Sequence, residues 1–163
     1  LLTVFFDLTL AIEVGLVMAI VMFMKRAMES AHISVVRDEM GVHNDGEKDE
    51  VLSIPSGAEV FEIEGPFFFG IANKFEEMAR TRSNATVRII RMRKVSFIDS
   101  TGIHNLTTLI EMNHENGTEV ILAGITAKVQ KQLLTAKFHK VLPSKNFCNN
   151  IDEALRRAEE ILK

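Results

Sequence analysis

The sequence predicts an α/β domain, a mixed but mostly parallel sheet with packed helices, preceded by one transmembrane helix. Three observations predict it. Residues 1–24, LLTVFFDLTLAIEVGLVMAIVMFM, are almost wholly apolar and run into Lys25-Arg26. From residue 51 onward, short runs of β-type residues alternate with segments of helical period, the pattern of strands joined by crossover helices. At Val87 to Gly102, VRIIRMRKVSFIDSTG, a hydrophobic strand leads straight into Asp99-Ser100-Thr101-Gly102 at the start of a helix.

At about 1.5 Å per residue, the opening run is long enough for the roughly 30 Å of a hydrocarbon core. Its apolar residues fall on every face, so the helix must be surrounded by lipid or by protein. Lys25, Arg26 and Arg37 follow the run, the reverse of a signal peptide's order, and place what comes next in the cytoplasm. Asp7 and Glu13 oppose this reading, because an acid at a helix centre costs about 2.5–3.5 kcal/mol on insertion scales. Both fit if the helix is the last of a bundle, with each acid facing protein or a water-filled cavity. They are the candidate intramembrane polar residues, with pairing to other helices favoured over a direct part in transport.

Residues 27–50 are expected to be a linker, since Asp38 to Glu50, DEMGVHNDGEKDE, has hardly any apolar side chains. The domain then covers residues 51–163. Val51 to Ile54 and Glu59 to Glu64 are strand candidates around Pro55-Ser56-Gly57, arranged as a hairpin. Phe67 to Phe69 form another short strand with core aromatics, and Ile71 to Arg82 a helix. Val87 to Val95 is apolar on both faces at its start, as a covered central strand requires. Arg91 and Arg93 interrupt it, with Glu62 and Glu64 as their expected ion-pair partners. A helix follows from Ser100 to Asn116, with Gly117 placed to terminate it. Thr118 to Ala123 is a buried strand, Thr126 to Lys137 a helix, and His139 to Leu142 an extended piece. Asn149 or Asn150 caps the last helix, whose Asp152 and Glu153 suit its first turn.

Composition narrows the function. A net charge of −3 argues against nucleic acid as a partner, and Cys148, the one cysteine, excludes an internal disulfide and fits a reducing compartment. The chain starts at Leu1 and is read as a piece of something longer. Neither GxGxxG nor GxxxxGK[ST] occurs, His104 and His114 are not at the i, i+4 spacing of a zinc helix, and Cys148 has no CxxC companion. No enzyme activity, metal or cofactor is expected. The junction at Asp99 is different, because first-turn N–H groups of a helix lack intrahelical partners and attract anions. Asp99, Ser100, Thr101 and Gly102 therefore form the candidate regulatory site, either as a cap or as a phosphorylation site at Ser100.

Three segments carry a family resemblance: FDLTLAIEVGLVMAIVMFMKR at Phe6 to Arg26, EVFEIEGPFFFGIANKF at Glu59 to Phe75, and VRIIRMRKVSFIDSTGI at Val87 to Ile103. In that order the chain resembles the end of a SulP-family anion transporter, a last membrane helix followed by a STAS domain. The resemblance implies a multi-pass protein of the bacterial cytoplasmic membrane, assembled as a homodimer, with the STAS domain in the cytoplasm. It implies sulfate, bicarbonate or dicarboxylate as cargo, and as partners the rest of the membrane domain and a cytoplasmic regulatory protein or kinase. STAS domains also include anti-sigma factor antagonists, in which the serine after the motif's aspartate is phosphorylated. Ser100 holds that position, where many transporter domains carry alanine, so the resemblance also allows a phospho-regulated binding module. A phosphate there would add about −1.5 to −2 charges beside Asp99.

Overall fold

The computed structural model describes residues 7–29, 32–36, 53–67 and 85–163. The chain divides into two compact units, residues 1–31 and 32–163. In the first, α1 (Leu8–Glu29) is a single helix of 22 residues. Its stretch Leu8–Arg26 is long and apolar enough, by length and composition, to cross a membrane. Within the unit Asp7 and Glu13 are exposed, as are nearly all the apolar side chains between them and Arg26.

The second unit is built on a five-stranded sheet in the order β1 (His32–Val36), β2 (Ala58–Glu64), β3 (Val87–Lys94), β4 (Glu119–Ala123) and β5 (Phe147–Cys148). β1 is antiparallel to β2, and the remaining neighbours are parallel. Such pairings need crossover connections, and α2 (Ser100–Glu115) and α3 (Ala127–Thr135) lie in two of them. α4 (Ile151–Leu162) follows β5.

Strand residues alternate between two buried layers. Val60, Val87, Ile89, Ile121 and Ala123 meet Ile151, Ala154 and Ala158 of α4. The alternate set, including Phe61, Ile90 and Leu122, is also buried. On that face the Arg88 guanidinium donates to the Asn113 side chain of α2 at 2.7 Å, which ties α2 to the centre of the sheet. Burial on both sides explains why VRII at the start of β3 has no polar face except Arg88. Fully burying a large aliphatic side chain contributes roughly 1.5–3 kcal/mol.

The helix ends follow the sequence signals. Thr126 caps α3, its hydroxyl accepting from Val129 N–H at 3.4 Å. Asn150 caps α4 by accepting from Glu153 N–H at 2.9 Å, while the Glu153 carboxylate accepts from Asn149 N–H at 2.8 Å. Both candidate asparagines thus take part, in a reciprocal box. Gly117, just past α2, has φ +77°, a conformation glycine adopts without strain.

Several expectations are corrected. The stretch assigned to linker, 27–50, contains the end of α1 and all of β1, and the sheet-bearing unit starts at His32 instead of Val51. The antiparallel partner of β2 is β1, with His32 opposite Glu64 and Val36 opposite Val60. Of the strand expected at 51–54, Ser53 and Ile54 lie outside any strand, and Val51 and Leu52 lie outside the described residues. His139 to Leu142 is not extended. A 3₁₀ turn at Phe138–Lys140 tucks Phe138 edge-on to Phe147 at 6.4 Å. β5, two residues long, was too short to show a period of two. The helix expected at 71–82, the remainder of the strand at 67–69 and residues 37–52 lie outside the described residues.

Candidate regulatory site at the start of α2

The site is held by a continuation of β2. After Gly65-Pro66, Phe67 forms a parallel bridge with Ile98. Phe67 donates its N–H to the Phe97 carbonyl at 2.8 Å, and its own carbonyl accepts from Asp99 N–H at 3.3 Å. Phe67 and Ile98 are both fully buried, so the backbone ahead of α2 is anchored in the core. From the other side Gln132 of α3 donates its side-chain N–H to the Ile98 carbonyl at 2.8 Å.

Asp99 is the N-cap of α2. Its extended backbone, φ −96° and ψ 178°, lets the carboxylate accept from Gly102 N–H at 2.6 Å. The Asp99 carbonyl accepts the first helical bond, from Ile103 at 2.9 Å. A charged acceptor on a first-turn donor also suits the positive end of the helix dipole. Gly102 is buried against Phe67 and Ile98, whereas Ser100 and Thr101 are exposed. The four candidate residues are therefore brought together with divided tasks. Asp99 and Gly102 build the turn, and Ser100 and Thr101 present hydroxyls to solvent.

This arrangement can accept a modifying group or a partner surface. A phosphate on Ser100 would meet an acid that already occupies the cap, so added charge would act against the turn's own geometry as well as on a bound surface. Asp7 and Glu13 belong to the other unit. Among the described residues no group of three or more His, Cys, Asp or Glu is placed to hold a metal. His104 is exposed, and His114 lies 3.8 Å from Glu119.

The arginine expectation holds with one change of partner. Glu62 meets Arg93 at 2.8 Å and Arg91 at 3.8 Å. Glu64 pairs with Lys94 instead, because a register shift between Glu62 and Glu64 sets Glu64 opposite Lys94. Phe67, Phe97, Gln132 and Lys128 are the neighbours that sequence reasoning missed. Lys128 lies over the Phe97 ring, 5.7 Å from its centroid. The run of three phenylalanines signalled burial but not which one supports the motif.

The sequence profile of the STAS domain matches residues 51–154. The chain is 28% identical over 158 residues to YvdB of Bacillus subtilis (strain 168), a protein assigned in name to the sulfate transporters. That match takes in 93% of this chain and 28% of YvdB, so the chain spans little more than a quarter of its relative's length. A solved sulfate transporter family protein from Wolinella succinogenes is 32% identical with a TM-score of 0.67, covering 73% of this chain and 98% of that one. The solved STAS domain of a SulP transporter from Vibrio cholerae is 30% identical with a TM-score of 0.60, covering 68% and 87%.

Proposed function

Because the chain belongs to the STAS domain family, we propose that it is the C-terminal end of a secondary-active anion transporter of the SulP type, a last membrane helix followed by a cytoplasmic regulatory and assembly domain. The likeness to YvdB is the observation that carries this reading. It takes in 93% of this chain, more than the sheet-bearing unit, so it includes residues of the apolar helix as well. In this reading the domain catalyses nothing and moves no anion itself. It couples the membrane helices of a multi-pass, dimeric protein of the bacterial cytoplasmic membrane to cytoplasmic signals, through the surface at Ser100 and Thr101. Asp7 and Glu13 pair with polar groups of the preceding membrane helices, since an acid left in lipid is costly.

The test is reconstitution of the complete parent protein in liposomes, with and without residues 32–163. Uptake of labelled sulfate, bicarbonate and a dicarboxylate is measured at matched amounts of folded protein. The reading expects uptake of at least one anion and a rate that changes on truncation. No uptake of any anion by either form overturns it and leaves the second reading, a tethered phospho-switch of the anti-sigma antagonist kind. The exposed hydroxyl of Ser100 favours that switch as a component of either reading.

A further inference from the structure

Between Glu119 and Asp152 the sequence has no acidic residue and five lysines, Lys128, Lys131, Lys137, Lys140 and Lys145, in a protein of net charge −3. All five are exposed. Among the described residues none of them has an ion-pair partner. α3 buries Val129 and Leu133 and turns Lys128, Lys131 and Leu134 outward on one arc. Leu134 is 62% exposed and Phe97, under the Lys128 ammonium, 38%. Among the described residues of the sheet-bearing unit these are the two large apolar side chains left exposed, and both adjoin the basic arc. A solvated basic face needs neither.

We propose that the outward face of α3, with Phe97, docks on an anionic phospholipid surface. Lysines at a surface of acidic headgroups each contribute about 1 kcal/mol, and apolar side chains set among them enter the headgroup boundary. Charge complementarity selects the lipid, and α1 selects it over a soluble acidic protein. In a chain anchored by that helix, with only Ser30 and Ala31 between α1 and β1 in sequence, the bilayer is present at a high effective concentration. The inference rests on the membrane-crossing reading of α1 but not on transport.

The chain has no tryptophan, so Phe97→Trp, and separately Leu134→Trp, introduces a single emitter. The full chain is reconstituted in vesicles of phosphatidylcholine alone or with about one-third phosphatidylglycerol, each with and without brominated lipid. The expected result is a blue-shifted, bromolipid-quenched emission in the anionic vesicles only, reversed by 0.5 M salt. Combining Lys128→Gln, Lys131→Gln and Lys137→Gln should lower the docking constant about 100-fold, as three lysines at that strength require. Equal quenching in both vesicle types, quenching indifferent to the lysines, or a blue shift without quenching, which marks a protein contact, would each overturn the proposal. Flotation tests the anchor separately: a chain that floats with both vesicle types but shows no anionic quenching sinks the docking face alone, and one that floats with neither sinks the α1 reading too.

Discussion

A Cβ atom on Gly102 would lie 2.6 Å from the carbonyl oxygen of Phe67 and 3.0 Å from its ring. The start of α2 and the backbone beyond β2 therefore touch without room for a methyl group. Gly102→Ala should destabilise the domain by about 2 kcal/mol, the range of overpacked cores. Urea denaturation followed by circular dichroism measures it, and a change under 0.5 kcal/mol would mean that the contact relaxes freely.

Removing the cap has a smaller effect. Asp99→Ala should cost about 1 kcal/mol, while Asp99→Asn, which keeps an acceptor for Gly102 N–H, should cost much less. Equal losses in the two variants would assign the effect to charge and not to capping.

Ser100 separates regulation from stability. Its side chain is exposed, so Ser100→Ala and Ser100→Asp should both leave the denaturation midpoint nearly unchanged. In the reconstituted parent protein Ser100→Asp should alter the transport rate or partner binding. If neither substitution changes either property, the phospho-switch is wrong.

Glu62 is buried between two arginines of β3. Glu62→Gln removes the carboxylate charge that Arg91 and Arg93 share and should cost about 3 kcal/mol, as removing one partner of a buried pair does. Unfolding of Glu62→Gln and of the double variant Glu62→Gln/Arg91→Met, compared in one double-mutant series, tests this. The double variant should recover part of the loss.

Among the described residues two groups are shifted upward in the alkaline range. The hydrogen bond that the Lys94 ammonium donates to the Glu64 carboxylate holds Lys94 above its ordinary value of 10.5. Burial, with Glu153 nearby, pushes the Cys148 thiol above 9.0. Both folded values are raised, so each contribution to stability is complete below the ordinary value and is lost as pH climbs through the raised one. Stability should fall above about pH 9, and Lys94→Gln should flatten the part of the curve beyond 10.5. Iodoacetamide should label Cys148 slowly at pH 8 and quickly in urea. Fast labelling of the folded chain would contradict its burial.

The parallel core was legible because its strands are covered on both sides and its helices carry their caps in the sequence. VRII, EVILA, Thr126, Asn150 and Gly117 each state a local preference that the fold keeps. β1 was not legible, because HISVV is a short run beside polar sequence and acquires its place by pairing with β2 across a long stretch of chain. The reversal at Phe138 depends on an aromatic contact with Phe147 that no local period announces. At the site, Asp99 and Gly102 were visible as a helix start. Phe67 was not visible as their support, because its two backbone hydrogen bonds to Phe97 and Asp99 leave no trace in the pattern of side chains.

The position of β1 determines where this protein can be cut. A recombinant domain begun at residue 51, where the family match starts, would lack His32–Val36 and leave β2 as a bare edge carrying Val60, Phe61 and Ile63. Unpaired apolar edges of that kind recruit further strands. Material started at residue 51 should aggregate or swap strands during purification, whereas material started at residue 32 keeps β2 paired with β1.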